Sequence, residues 1–258
     1  MLKHKNISVL FLLVISLLIV LSFFTEIKFW QFILVGFLWL CFTAYGAFDI
    51  RANYFTKTYC SNPSISSKKI AITFDDGPTE FTPQVLDVLM KFNAKATFFC
   101  IGFQIEKHPE IFKRIIEEGH LIGNHSYSHS NTIGFFSVER VLNEIQQNDQ
   151  LIASYLNKKP RFYRPPFGVT NPKIAKALAL TQHDVIGWNN RSLDTVINEE
   201  KAILNRIKKK VNPGGIVLLH DTSFKTVQVL EQLLLFLQSE NYEVTLLDEL
   251  LNLNAYEK

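Results

Sequence analysis

Two adjacent carboxylates stand in Thr73-Phe74-Asp75-Asp76-Gly77, and two imidazoles stand four residues apart in His125-Ser126-Tyr127-Ser128-His129. One carboxylate with two imidazoles is a ligand set for a catalytic metal. Catalytic zinc usually takes three protein ligands and keeps a position for water, whereas structural zinc is closed by four ligands, often cysteines. Cys41, Cys60 and Cys100 are scattered along the chain, which argues against a cysteine cage. The Asp/His set suits Zn2+, and by ligand hardness also tolerates Co2+, nickel or iron.

The pair Asp75-Asp76 follows a strand-like run, residues 69–74, so the two side chains point in different directions. One can bind metal while the other takes the proton of a water that attacks a carbonyl carbon. Asp-Asp-Gly-Pro also reads as an ordinary turn with Asx-type bonds, and a His pair at i and i+4 also fits a solvated face. Three further segments weigh against those readings: Arg161-Phe162-Tyr163-Arg164-Pro165-Pro166-Phe167-Gly168, the stretch from Trp188 to Asp194, and Ile216-Val217-Leu218-Leu219-His220-Asp221.

With these five motifs in this order, the chain resembles the polysaccharide deacetylase family, or NodB-homology domain, over about residues 68–250. The resemblance implies a distorted, incomplete (β/α) barrel, a divalent metal, and removal of an acyl group from an amino sugar. Carried over by motif, it makes Asp75 the general base and Asp76, His125 and His129 the metal ligands. His220 becomes the general acid that protonates the leaving amine. Arg164 matches the arginine that pairs with the base, and a neighbouring cation keeps a carboxylate ionised. The backbone amide near Phe167 would help the metal stabilise an oxyanion, with Trp188 and Leu218 as apolar walls.

One motif departs from the family. The common pattern is Trp, two residues, Asp, two residues, Asp-Trp, and here it reads Trp188-Asn189-Asn190-Arg191-Ser192-Leu193-Asp194-Thr195. Arg191 takes the place of the aspartate that orients the acid histidine, which leaves Asp194 and Asp221 as alternative partners for His220. An arginine near His220 would lower its pKa by like-charge repulsion. Thr195 in place of tryptophan implies a wider or more polar acyl pocket.

The elements that must position these residues alternate. Helical spacing predicts helices over 82–92, where Thr82 and Pro83 make a helix start, and over 109–118, 138–156, 172–180, 199–211 and 226–240. Strands are predicted over 69–74, 96–102, 121–123, 162–163, 184–187, 216–219 and 242–244. This is the β-α alternation of a parallel sheet. Each candidate residue falls at or just beyond a strand's C-terminal end, the face on which (β/α) barrels carry their sites.

Residues 7–24 and 29–48 hold no charge and are each long enough to cross a hydrocarbon core of about 30 Å. They predict a membrane anchor over 1–50 made of two helices, then a linker over 51–67 and a catalytic domain over 68–258. No small-residue cleavage site follows the first segment. Lys3 and Lys5 before the pair, and Arg51, Lys57, Lys68 and Lys69 after it, would place the domain in the cytoplasm by the positive-inside rule. Cell-wall glycans lie outside, so either the substrate is a lipid-linked or precursor sugar, or one segment does not span. The expected partners are a lipid bilayer and a glycan or glycolipid with N-acetylated amino sugars.

A net charge of +3 is too small to argue for nucleic acid, and nothing singles out a protein partner. Lys208-Lys209-Lys210 fits a helix end. Cys60 and Cys100 are the only pair outside the apolar segments, and Cys100 reads as a buried strand residue. The expected activity is a metal-dependent N-deacetylase. The rivals are an O-acetyl esterase acting on xylan or another glycan, and a membrane-tethered glycan-binding pseudoenzyme.

Overall fold

In a computed structural model, residues 3–257 are described. Two apolar helices come first, α1 (His4–Leu21) and α2 (Phe29–Phe48). The elements that follow are β1 (Thr58–Tyr59), β2 (Lys69–Asp75), α3 (Thr82–Lys91), β3 (Thr97–Cys100), α4 (Gly102–Lys107), α5 (Pro109–Glu117), β4 (Leu121–Asn124) and α6 (Val138–Leu156). After these come β5 (Phe162–Tyr163), α7 (Pro172–Thr181), β6 (Asp184–Ile186), β7 (Asn190–Arg191), α8 (Glu200–Lys208), β8 (Gly215–His220), α9 (Phe224–Ser239), β9 (Glu243–Val244) and α10 (Leu247–Leu251).

The strands form one parallel sheet in the order β1-β6-β5-β4-β3-β2-β8-β7, with β9 also pairing β2. It curls into an incomplete (β/α) barrel, as expected, with β1 and β7 as its edges. The central strand β2 is buried on both faces from Ile70 to Asp75, which suits a strand covered on both sides. Its side chains alternate. Ile70, Ile72 and Phe74 pack outward with Leu86, Leu230 and Leu233 of the surrounding helices, while Ala71 joins Phe99, Tyr163, Ile216 and Leu218 in the inner cluster. Asp75 shares the inner face with Ala71, and the parallel register sets it beside His220.

Local chemistry fixes the helix starts. Asn171 Oδ1 accepts from the amides of Lys173 and Ile174, both at 2.9 Å, ahead of Pro172. Ser137 and Ser223 cap α6 and α9 in the same way.

The segment 51–67, expected to be a linker, contributes to the sheet. Its residues Thr58 and Tyr59 pair with Val185 and Ile186 as the edge strand β1. Ser61 bridges Gly215, and Asn62 Nδ2 donates to the Leu250 carbonyl at 2.7 Å. Two residues of strand leave no periodic pattern to read. The short helices α4 and α10 escape notice for the same reason.

α1 and α2 lie side by side, joined by Trp39 Nε1 donating to Ser8 Oγ at 3.2 Å. Both are long and apolar enough to cross a membrane, and only 6% of each apolar window is buried, whereas a soluble core helix would be mostly covered. A signal sequence near the N-terminus meets the same test of length and composition. The end of α2 is tied to the barrel by the Thr170 amide, which donates to the Ala47 carbonyl at 3.0 Å.

Candidate active site

The chain leaves β2 at Asp75 and turns at Asp76, whose φ of 73° is left-handed. That turn sends the two carboxylates apart, as their adjacency suggested. Asp76 Oδ1 lies 3.4 Å from His125 Nε2 and 3.3 Å from His129 Nε2. It is buried and has no hydrogen-bond partner. The three ligand atoms lie within 4.8 Å of one another. The two measured gaps match the edge of a tetrahedron built on metal bonds of ~2.0–2.1 Å, about 3.3 Å. An orphaned carboxylate oxygen at that spacing fits a divalent cation. Burial would disfavour the ionised acid, but the nearby imidazoles of His125, His220 and His129 outweigh it and hold Asp76 well below the usual carboxylate range.

The two imidazoles are oriented by the backbone. His125 Nδ1 lies 2.7 Å from the Arg164 carbonyl, which can only accept, so Nδ1 carries the proton and Nε2 offers its lone pair. The His129 amide donates to Ser126 Oγ at 3.1 Å. Ser126 and His129 have φ of 63° and 48°, and a polar scaffold holds this loop. Asn124 Oδ1 accepts the Ser126 amide at 2.8 Å, and Asn148 Nδ2 donates to the carbonyls of Cys100 and Ser126, both at 2.9 Å. Burial, then the charge of His125, pushes His129 down to about 4, so it stands neutral and able to ligate.

Asp75, the predicted base, is 3% exposed, and its Oδ1 accepts from Arg164 Nη1 at 2.7 Å. Arg164 is fully buried with every nitrogen engaged: Nη1 also donates to Thr73 Oγ1 at 2.8 Å, Nε to the Ile186 carbonyl at 3.2 Å and Nη2 to the Gly187 carbonyl at 2.9 Å. Its guanidinium lies 4.0 Å over the Phe99 ring. Burial lowers its pKa from the ordinary arginine value, opposed by the charge and bond of Asp75. A surface arginine would show none of this. Asp75 Oδ2 remains turned toward the site, 3.8 Å from His125 Nε2.

His220 ends β8, and its partner is Asp194. Nδ1 lies 2.8 Å from Asp194 Oδ1, and the His220 amide donates to Asp194 Oδ2 at 2.8 Å. Ser192 Oγ at 2.8 Å and Thr226 Oγ1 at 2.9 Å supply two further bonds to the same carboxylate. Burial alone would push His220 down, but the bond and charge of Asp194, joined by the charges of Asp75 and Asp76, push it up to about 9. Asp194 is correspondingly lowered against the effect of its own burial.

Arg191 does not sit beside His220. It is exposed on the two-residue strand β7, with its guanidinium 5.7 Å over the Trp188 ring, and it is not among the main causes of the His220 shift. Asp221, the other candidate partner, turns the opposite way. Its Oδ2 accepts from Thr82 Oγ1, its backbone carbonyl from Thr79 Oγ1, and its carboxyl packs on Gly77 with no room for a Cβ. Thr82 therefore secures Asp221 rather than capping α3.

Phe167 is 48% exposed, with φ of 60°. Its ring lies 4.6 Å from that of His129, and among the described residues its amide has no intrachain acceptor. Trp188 and Leu218 are 8% and 2% exposed and belong to the inner core cluster. A Cβ on Gly168 would approach Trp188 to 2.6 Å, so this glycine lets the Phe167 loop close over the indole. Among the functional contacts, the role of Thr73 and the bonds of Ser192 and Thr226 to Asp194 were not foreseen. Thr73 stood inside a recognised motif; the other two carried no signal beyond proximity to Asp194 and a helix start.

A family model described as polysaccharide deacetylase matches residues 63–186. A peptidoglycan-N-acetylglucosamine deacetylase of Bacillus cereus is 36% identical over 195 residues, which cover 72% of this chain and 89% of that one. The chain belongs to the polysaccharide deacetylase family. A longer family member, peptidoglycan-N-acetylglucosamine deacetylase PgdA of Listeria monocytogenes, is 34% identical over 186 residues, 72% of this chain and 39% of that protein. Among solved structures, the Bc1960 peptidoglycan N-acetylglucosamine deacetylase superposes with a TM-score of 0.72 at 30% identity, covering 77% of this chain and 94% of that one. The fold also occurs without catalysis: a CE4 family pseudoenzyme from Bacillus anthracis superposes with a TM-score of 0.67 at 30% identity over 72% of this chain and 66% of that one.

Proposed function

We propose that this glycan deacetylase family member is a divalent-metal-dependent hydrolase that removes the N-acetyl group from an amino sugar, with Asp76, His125 and His129 as metal ligands. The observation that carries the reading is the convergence, at the ends of β2 and β8, of an orphaned Asp76 oxygen spaced for a metal with a braced carboxylate and a braced imidazole. A divalent ion held there, Zn2+ first by donor type, would supply Lewis acidity to water and to the acyl oxygen.

The chain's own groups handle the protons. Asp75 takes the proton of the attacking water through Oδ2, because Arg164 occupies Oδ1. His220, charged through its pairing with Asp194, donates from Nε2 to the leaving amine. The Phe167 amide is a preorganised donor for the acyl oxygen. A glycan-binding module needs no such pair of proton-transfer groups, so their presence favours turnover over the pseudoenzyme reading.

Residues 1–50 serve as a membrane anchor, and the family's peptidoglycan deacetylases point to an N-acetylglucosamine-containing glycan or its lipid-borne precursor. The test is acetate release by the purified full chain in detergent, against peptidoglycan fragments, chitooligosaccharides and acetylxylan in parallel. Release from an amino sugar is expected. Release from acetylxylan alone would move the assignment to an O-acetyl esterase, and metal-loaded protein inert on every substrate would move it to a binding role.

A further inference from the structure

The sheet stays open between its edge strands β1 and β7, and the end of α2 lies against this seam. A cavity of about 310 Å3 results, walled by Asp49 and Arg51 from one side and by Trp188, Arg191, Arg206 and Lys210 from the other. A water occupies ~30 Å3 in the liquid, so the cavity has room for a phosphate or diphosphate group. Three guanidinium groups and an ammonium face a single carboxylate. That carboxylate is already satisfied, since Asp49 accepts from Arg51 Nε at 2.8 Å and from Nη2 at 2.7 Å.

The remaining cations have no such partner. Arg206 donates Nε to the Arg191 carbonyl at 3.0 Å, which fixes its direction and leaves its terminal nitrogens open. Arg191 lies over the Trp188 ring. None of Arg191, Arg206 and Lys210 pairs with a carboxylate among the described residues. The C-terminal dipole of α8 accounts for lysines along that helix end. It does not account for Arg191, which stands on β7 rather than on α8.

We propose that this seam is a binding site for the phosphate group of an anionic membrane lipid. Planar guanidinium forks match phosphate oxygens, and basic pockets at the ends of membrane helices take acidic head groups. Phe48, the exposed last residue of α2, lines the same cavity, so a lipid lying along α2 reaches it without leaving the membrane surface. Trp188 separates the cavity from the Gly168 loop and from Arg164, whose guanidinium lies 5.6 Å over the same ring. A phosphate in the seam therefore lies one indole away from the candidate active site. The inference rests on the reading of α1 and α2 as a membrane anchor and is independent of the deacetylase reading.

The test is lipid retention by the full chain in neutral detergent, read by native mass spectrometry with phosphatidylglycerol, phosphatidylcholine and inorganic diphosphate as separate probes. The R191Q/R206Q/K210Q variant should retain phosphatidylglycerol about 100-fold more weakly than wild type. A K3Q/K5Q/K57Q variant, altered in a different basic cavity, should stay within about threefold of wild type. Phosphatidylcholine should bind weakly to all three proteins. R191K/R206K, which keeps the charges but loses the guanidinium forks, should retain more lipid than the glutamine variant and less than wild type, and this separates lost charge from a damaged fold. Equal loss in the two glutamine variants, or equal retention of both lipids, would overturn the proposal. Diphosphate binding as tightly as the lipid would also overturn it, in favour of a soluble anion.

Discussion

The pairing of His220 with Asp194 leads to a prediction that separates chemistry from architecture. Asp194→Asn removes the negative charge while keeping the shape of the side chain. The His220 pKa, pushed up to about 9 mainly by Asp194, should then fall to the ordinary histidine value or lower, because burial acts unopposed. A raised pKa means that the acid form is present below about pH 9 in wild type and is lost above it. At pH 8 the protonated fraction falls from about nine-tenths, for a pKa of about 9, to about three-hundredths for a pKa near 6.5, a loss of roughly 30-fold. At pH 6 the same shift costs less than about twofold. A metal on Asp76 neutralises part of the charge that helps raise His220, so the wild-type limb of the loaded enzyme falls at or somewhat below 9. The assay is kcat/KM for acetate release from pH 5.5 to 9.5. The inverted amide of asparagine also meets the donors on His220 and Thr226, which adds a pH-independent loss. The diagnostic is therefore the movement of the alkaline limb, and an unchanged limb in Asp194→Asn would refute the assignment.

Four other substitutions separate the remaining roles. Asp76→Ala should lose both bound metal, by elemental analysis, and turnover, whereas Asp75→Asn should keep the metal and lose roughly 100- to 10,000-fold in kcat; full activity in Asp75→Asn would sink the base assignment. Gly77→Ala drives a Cβ into the buried Asp221 carboxyl and should destabilise the fold by about 1–3 kcal/mol, seen as a lower Tm. Burial pushes Asp221 up to about 7, so the folded state holds a proton that the unfolded state releases from about pH 4 upward, and stability falls as pH rises through that window. Asp221→Asn should flatten this slope, and parallel wild-type and variant Tm curves between pH 5 and 8 would contradict it.

The strongest signals in the sequence were those with a local cause. β2 reads as a buried strand because every residue from Ile70 to Asp75 is covered, and Asp75 and His220 meet because both end neighbouring parallel strands. The helices with caps and full turns of apolar spacing were predicted to within a few residues of their ends. What stayed hidden depends on pairing at a distance. Thr58–Tyr59 becomes a strand only because β6 offers an edge, so the segment composed like a linker is part of the sheet. The direction of Arg191 is set by β7 and by the Trp188 ring, neither of which its neighbours in sequence reveal. The choice between Asp194 and Asp221 as the partner of His220 is not local either, since it turns on Thr226 and Thr82, which stand on different helices.

The central claim is that Asp76, His125 and His129 hold a divalent metal on which deacetylation depends. The most direct test is to strip the purified full chain with a chelator and follow acetate release from an N-acetylglucosamine oligomer while Zn2+ is titrated back. The account predicts that activity vanishes on stripping and returns to a plateau at one bound ion per chain, with no recovery in His125→Ala or His129→Ala. Undiminished turnover by stripped protein, or recovery without stoichiometric binding, would contradict it.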